Sequence, residues 1–260
     1  MMVSNTTGRV FLVGAGPGAV DLLTLRAARL LGEATAVVHD GLVSDAIMAL
    51  VPASALRISV AKRRARHTLS QAAIGDLLVE LALAGHAVVR LKGGDPFIFG
   101  RGGEEVDACA AAGVPVEVVP GISSAQGAGA ATLMPLTHRD HASIVSFVAG
   151  ECRGLAAQNW VGLAGPGRTL VIYMGLAGSE AIADKLIADG LTPDTPVAVI
   201  ERATRHDQRL FRSLLADLSG LIARAGVPSP ALIIVGAVAR LGVADSEILT
   251  LAEAAPCPIS

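Results

Sequence analysis

The sequence predicts an α/β protein of two domains, and three observations predict it. Five short apolar, strand-like runs alternate with helix-like runs over the first ~130 residues, the pattern of βαβ units around a largely parallel sheet. The stretch Met134-Pro-Leu-Thr-His-Arg139 then has the proline and polar character of a connector. Beyond it, strands and helices recur with a different rhythm, which reads as a second α/β domain with a mixed sheet. At 260 residues the chain has the length at which one core gives way to two. The expected boundaries are 1–134 and 135–260.

Taken in order, Arg9 to Val13 is a short apolar strand, followed by Gly14-Ala-Gly-Pro-Gly18 and a helix over Leu25 to Gly32. This strand, glycine turn and helix differ from a dinucleotide fingerprint in spacing, because Gly14, Gly16 and Gly18 alternate. Pro17 has no N–H to donate, so the turn is a poor phosphate cradle and better suited to close backbone approach by a neutral or zwitterionic ligand. Thr35 to His39 is the second strand. Asp40 follows its carboxyl end, where open α/β sheets place ligands. Asp40 is either a site acid or the N-cap of a helix over Val43 to Leu50.

Arg57 to Val60 is the third strand. It runs into Ala61-Lys-Arg-Arg-Ala-Arg-His67, with four cations in five positions, which is either an anion site or a solvated basic loop. A helix over Ala72 to Leu83 starts behind Ser70 and Gln71. His86 to Leu91 is the fourth strand, and it feeds the most distinctive stretch of the chain, Val89 to Glu105, V-V-R-L-K-G-G-D-P-F-I-F-G-R-G-G-E-E. Glycine loses the most backbone freedom on folding, so a loop this rich in it either is built for close approach of a ligand or is a tight strand-to-helix turn with no ligand. A helix over Glu104 to Ala112, a strand over Val114 to Val119 and a weak Gly/Ala-rich helix over Ala125 to Thr132 complete the first half. In the second half the strands are Ser143 to Ala149, Thr169 to Met174, Val197 to Ile200 and Ala231 to Val235. Helices span Gly178 to Asp189 and Leu214 to Ala225, with a hairpin within Thr204 to Ser213 and a weakly ordered tail over the last ten residues.

Composition narrows the function. Hydrophobic residues make up 52% and aromatic residues 3%, with one Trp and one Tyr. That argues against a stacking platform for single-stranded nucleic acid. A formal net charge of -2 provides no global field for a polyphosphate backbone. Cys109, Cys152 and Cys257 are odd in number and far apart, against a disulfide framework or a structural zinc site. No apolar run approaches the ~18 residues needed to span a bilayer, and the N-terminus carries no secretory signal. A soluble, cytoplasmic protein without metal is expected.

Several motifs, taken together and in order, resemble the tetrapyrrole methylases. They are Val13-Gly-Ala-Gly-Pro-Gly18 with Leu22-Leu-Thr-Leu25; His39-Asp-Gly-Leu-Val-Ser44; Lys62-Arg63 with His67 and Gln71; and Val89 to Glu105 entire. They continue with Val119-Pro-Gly-Ile-Ser-Ser124, Pro135-Leu-Thr-His-Arg-Asp140, Leu170-Val-Ile-Tyr-Met-Gly175 and Pro230-Ala-Leu-Ile-Ile-Val-Gly236. The Gly-Gly-Asp-Pro-Phe loop with the Pro-Leu-Thr-His-Arg block is the specific part.

The resemblance implies two α/β domains, unlike a Rossmann methyltransferase, with S-adenosylmethionine held in the interdomain cleft, and a homodimer. It implies methylation of uroporphyrinogen III at C2 and C7, giving precorrin-2 and S-adenosylhomocysteine. It assigns cofactor contacts to Pro17, Gly93, Gly94, Asp95, Ile98, Ser123, Ser124, Met174, Ala203 and Ala231. It makes Asp40 a proton acceptor and Lys62 a proton donor, places Arg101 in the catalytic set, and gives Arg63, Glu104 and Arg139 to the substrate. Eight substrate carboxylates turn the basic loop from a bland feature into an expected anion receptor, with arginines as bidentate clamps. Ala61 stands where the family usually has Gly. The chain carries no dehydrogenase and chelatase region of the kind found in fused sirohaem enzymes, so methylation alone is expected. The competing readings are a methylase acting later on a precorrin, a diphthine synthase, and a non-catalytic module that binds S-adenosylmethionine or a tetrapyrrole.

Overall fold

The structure is a computed structural model, and it describes residues 8–61, 69–150 and 159–243. The chain divides into two compact units, Met1–Ser123 and Ser124–Ser260. The sequence reading draws the line after Met134, whereas the contacts group the Gly/Ala-rich helix with the second unit.

The first unit is a five-stranded sheet formed by β1 (Arg9–Gly14), β2 (Ala36–His39), β3 (Leu56–Ser59), β4 (Ala87–Lys92) and β5 (Val116–Val119). The strand order is β3-β2-β4-β1-β5 and every pairing is parallel. Helices connect the strands: α1 (Leu25–Glu33), the single turn α2 (Asp45–Met48), α3 (Gln71–Leu83) and α4 (Gly102–Ala111). A parallel sheet is covered on both faces, which is why its strands read as continuous apolar runs. Phe11, Val13, Val37, Val89 and Leu91 pack against α1 and α2, while Val10, Leu12, Val38 and Val88 pack against α3 and α4. Thr24 and Ser70 start α1 and α3 by accepting the N–H of the third residue on, at 3.1 Å each.

The second unit opens with α5 (Ser124–Ala131) and has a sheet of β6 (Ala142–Ala149), β7 (Gly167–Tyr173), β8 (Pro196–Glu201), β9 (Arg209–Leu214) and β10 (Ala231–Val235). The order is β6-β7-β10-β8-β9; β6 and β7 are parallel and the remaining pairs antiparallel, a mixed sheet as expected. The helices are α6 (Ser179–Ala188) and α7 (Leu218–Ala225). The hairpin expected within Thr204 to Ser213 is wider than that: β8 and β9 pair antiparallel around residues 202–208, so the stretch supplies the turn and β9 while its partner strand is Pro196–Glu201. The helix expected from Leu214 is shorter, because Arg209–Leu214 is strand and a 3-10 turn over Leu215–Asp217 intervenes. α5 is a helix of small residues because its small face is buried: Ala125 and Ala128 belong to the core beneath β10, and a Cβ on Gly129 would meet the Met134 carbonyl at 2.8 Å. The expected C-terminal tail lies outside the described residues.

Candidate active site

In the first unit the parallel strands deliver four loops to one edge, the carboxyl edge of the sheet, where ligands of open α/β folds bind. Backbones there touch directly. Gly16 and Gly94 form a two-residue antiparallel bridge, with the Gly94 N–H donating to the Gly16 carbonyl at 2.7 Å and the reverse bond at 3.2 Å. A Cβ on Gly14 would lie 2.5 Å from the Gly121 nitrogen and 2.7 Å from the Gly94 oxygen, and one on Gly121 would lie 2.3 Å from that same oxygen. The loops after β1, β4 and β5 therefore close on one another only because no side chain intervenes. The alternating glycines of the first turn serve this packing, and Pro17 sits half-buried beside it.

Two carboxylates fasten this edge. Asp95 accepts the Phe97 N–H on one oxygen at 2.8 Å, turning the loop, and the Gly121 N–H on the other at 3.0 Å. Asp40 accepts the Leu42 N–H at 2.9 Å and the Gly93 N–H at 3.3 Å. The N-cap alternative for Asp40 fails: the N-cap of α2 is Ser44, and α2 is one turn beginning at Asp45 rather than a helix from Val43. Asp40 thus lies against the glycine loop, half-buried, with oxygens that retain lone pairs. Gly93 packs on Leu42, where a Cβ would approach the Leu42 Cβ to 2.7 Å.

Beyond Asp95 the loop exposes Phe97 and Phe99 and half-buries Ile98. Phe99 and Arg101 adopt left-handed backbone, with φ of 54° and 58°. Non-glycine residues held there are strained and concentrate at functional loops. Arg101 is the N-cap of α4 and reaches forward to Glu104 in a bidentate pair, Nε to Oε1 at 2.8 Å and the terminal nitrogen to Oε2 at 2.7 Å. Both side chains are exposed. The hydrogen bond to Arg101 holds the Glu104 carboxyl below its ordinary range. Arg101, expected in the catalytic set, and Glu104, expected at the substrate, are thus engaged with one another.

Behind the loop lies a cluster absent from the sequence expectations. Arg90 and Lys92 are two apart on β4, so they point to the same face, into the α3–α4 layer. Each is only 3% exposed, and Glu105 of α4 is 0% exposed. Glu105 Oε1 accepts from Arg90 Nε at 3.0 Å and from Gln71 Nε2 at 3.0 Å. The Lys92 ammonium lies 3.1 Å from Oε1 and 3.0 Å from Oε2. Arg90 also donates to the Leu91 carbonyl at 3.0 Å and the Val38 carbonyl at 3.4 Å. Burial pushes the Lys92 ammonium below the ordinary lysine range, assisted by Arg90 and opposed by Glu105 and Asp40. The signal was present in V-V-R-L-K: two cations on alternate positions of an otherwise apolar central strand.

In the second unit β10 runs antiparallel to both neighbours, so its first residue meets the carboxyl ends of β7 and β8. Ala231 pairs with Glu201, and Leu232 with Tyr173. Met174, Ala203 and Ala231 therefore gather at one edge of that sheet. Met174 is exposed with φ 54°, and Ala203 is buried between Arg202 and Thr204, at φ 46° and 69°. Ser123 is buried and Ser124 opens α5. Tyr173 at the end of β7 accepts the Ala125 N–H at 3.2 Å, fixing the start of α5 to this edge. Arg139 does not join them. It lies in the turn closed by the His138–Ala142 bridge, where β6 begins, at the opposite edge of the sheet. Lys62 and Arg63, with the rest of the basic loop through His67, lie outside the described residues. Among those described, no group of three or more His, Cys, Asp or Glu side chains is arranged to hold a metal, and no helix is long and apolar enough to cross a membrane.

Two α/β units, the first with a glycine-fused carboxyl edge and the second with a mixed sheet, define the class of protein. Comparison with known proteins makes it specific. The family model for tetrapyrrole (corrin/porphyrin) methylases matches residues 9–219, and the chain belongs to that family. The siroheme synthase of Pseudomonas paraeruginosa is 52% identical over 236 residues, covering 90% of this chain and 51% of that protein. That of Azotobacter vinelandii is 52% identical over 235 residues, with the same coverages, 90% and 51%. The chain thus spans about half the length of these curated relatives. Among solved structures, uroporphyrin-III C-methyltransferase from Thermus thermophilus complexed with S-adenosyl homocysteine superposes with a TM-score of 0.76 at 40% identity, covering 90% of this chain and 94% of that one. A cobalt precorrin-4 methyltransferase superposes with a TM-score of 0.80 at 26% identity, covering 93% and 100%.

Proposed function

We propose that this protein transfers methyl groups from S-adenosylmethionine to C2 and C7 of uroporphyrinogen III, giving precorrin-2 and two S-adenosylhomocysteine. The observation that carries the reading is the glycine-fused carboxyl edge of the first sheet, in a chain 40% identical to the Thermus thermophilus enzyme seen with S-adenosyl homocysteine. The residues fit that ligand. Gly93 and Gly94 hold the loop's main chain in place, and the half-buried loop supplies carboxylate and carbonyl acceptors suited to an ammonium and to ribose hydroxyls. When bound, the donor supplies a sulfonium methyl for attack by an electron-rich pyrrole carbon.

The protein's own residues position the reactants and handle the proton. The Asp95 carboxylate fixes the loop through the Phe97 and Gly121 N–H groups, and Gly93, Gly94 and Ile98 form the donor wall with Pro17. Asp40, braced on the Gly93 N–H, accepts the proton that leaves after methylation. Lys62 donates a proton, and Arg63 with the neighbouring basic residues receives substrate carboxylates. Arg101 takes a substrate carboxylate by exchanging its Glu104 partner, a swap between two charge-assisted pairs of similar geometry. Ser123, Ser124, Met174, Ala203 and Ala231 are assigned to the donor, and Arg139 to the substrate, by family resemblance. The protein is proposed to be a soluble, cytoplasmic homodimer serving sirohaem or cobalamin synthesis.

Purified protein incubated anaerobically with labelled S-adenosylmethionine and uroporphyrinogen III tests the reading. A doubly methylated product at the oxidation level of precorrin-2 is expected; label transferred only to a precorrin already methylated, when one is supplied instead, would place the protein later in the sequence.

A further inference from the structure

We infer that Glu105 is a positioning residue: buried behind the glycine loop, it ties the strand that enters the loop to the helix that leaves it, and so sets where Arg101 stands. The start of α4 is not specified by its own sequence. Its N-cap, Arg101, holds left-handed backbone, φ 58° and ψ 22°, and makes no side-chain cap hydrogen bond. A helix ordinarily starts at an extended N-cap whose side-chain oxygen takes a free N–H. The next two residues are Gly102 and Gly103, and only proline is a poorer helix former than glycine. Phe99 and Arg101 both sit in left-handed backbone, which non-glycine residues keep only where their surroundings over-determine it. The anchor for this turn must therefore come from elsewhere in the fold.

Glu105, in the first turn of α4, is that anchor. Lys92 is the last residue of β4, and its ammonium lies 3.1 Å from Oε1 and 3.0 Å from Oε2, so residues 93–101 leave from and return to one buried ion pair. Arg90 Nε donates to Oε1 at 3.0 Å from the same strand, and Gln71 Nε2 donates at 3.0 Å from the first residue of α3. One turn further along, α3 and α4 touch: a Cβ on Gly75 would lie 2.7 Å from the Ala108 Cβ. Stability alone does not account for the cluster, because well-packed apolar side chains commonly match or exceed buried ions. Apolar burial has no direction, whereas donors from two elements leave the Glu105 carboxylate one place to sit. That fixes the rotation and height of the turn from which Arg101 and Glu104 reach outward.

The effect on turnover rests on the methyl-transfer reading, whereas one arm of the experiment does not. The Gly102 N–H donates to the Pro96 carbonyl at 3.1 Å across the junction of loop and helix, and the Gly94 N–H donates to the Gly16 carbonyl at 2.7 Å away from it. Arg90→Met, Lys92→Met and Glu105→Met together replace the anchor by apolar side chains. In hydrogen exchange on the full chain, the Gly102 amide should lose protection by about tenfold or more while that of Gly94 is unchanged. Equal protection of Gly102 in the variant and the wild type overturns the inference whatever the protein catalyses.

The second arm is kinetic. The triple variant should melt no lower than wild type, bind S-adenosylhomocysteine with unchanged Kd, and lose kcat for methyl transfer to uroporphyrinogen III by about tenfold or more. Arg101→Ala added to it should cost far less than Arg101→Ala in the wild type, because both changes remove the same contact. Wild-type kcat, or two losses that multiply independently, shows a cluster that only supports the fold and overturns the inference. If the triple variant does not fold, Lys92→Met, which leaves Arg90 and Glu105 as a balanced buried pair, carries both arms with the same expectations. A wild-type protein that forms no methylated product removes the function reading and leaves the Gly102 exchange to judge the anchor.

Discussion

Glu105 and Glu201 are both wholly buried carboxylates, and each faces two cations, yet the cations differ in exposure. Around Glu105 the cations are buried as well, Arg90 and Lys92 at 4% side-chain exposure each. Around Glu201, at the end of β8, Arg202 and Arg209 are 30% and 40% exposed. Arg202 also pairs with Asp207 at 2.8 Å, and the Thr204 N–H donates to Gln208 at 2.7 Å, so that pair fastens the β8–β9 turn. Solvent dissipates any imbalance of charge at Glu201. At Glu105 the cations are shielded from solvent and their charges are less screened. Burial of the partners, and not of the carboxylate, separates the two clusters.

The comparison can be broken from either side. Glu105→Ala strands two buried cations and should cost about 3–5 kcal/mol of unfolding free energy in urea titration. Glu201→Ala lets its arginines turn to water, and should cost only about 2 kcal/mol by the same measurement; an equal loss at both sites would erase the distinction. The exposed Arg101–Glu104 pair is the third point on the scale. Arg101→Ala should change stability by less than about 1 kcal/mol and leave S-adenosylhomocysteine affinity unchanged in calorimetry, yet lose turnover. Smallest of all, and opposite in sign, Gly103→Ala adds a methyl with nothing within 4 Å, on the helix turn that carries both glutamates. It should raise stability by about 0.5 kcal/mol, detectable as a higher denaturation midpoint.

Much of this molecule was legible in its sequence. Among the described residues, nine of the ten strands answer to apolar runs, because strands buried on one or both faces must be apolar. Thr24 and Ser70 marked helix starts through a side-chain oxygen three residues before the N–H it accepts. The glycine loop stood out because no other residue permits such backbone approach. What stayed hidden depends on pairing across distance. Glu105 read as one more acid in a first helical turn, since its partner Arg90 is 15 residues away across a reversing loop. Whether Asp40 capped a helix or faced the loop depended on Gly93, 53 residues on. β9 was hidden inside a polar hairpin because Arg209 and Arg212 direct their charges to Glu201 and to the Ala239 and Leu241 carbonyls rather than to water alone.

The contact of Gly14, Gly94 and Gly121 has a consequence for how this site can change. Three segments far apart in the chain share one volume with no room for a single added carbon: a Cβ on Gly121 would sit 2.3 Å from the Gly94 oxygen. A side chain on Gly14 or Gly121 has no neutral one-step route, because it pushes the facing backbones apart, and Gly94 is held at a left-handed φ of 69°. Variation in what the edge accepts must therefore enter through Phe97 and Phe99, whose side chains face outward. Directed evolution for altered substrates should randomise Phe97 and Phe99 and leave Arg101 and the glycines fixed.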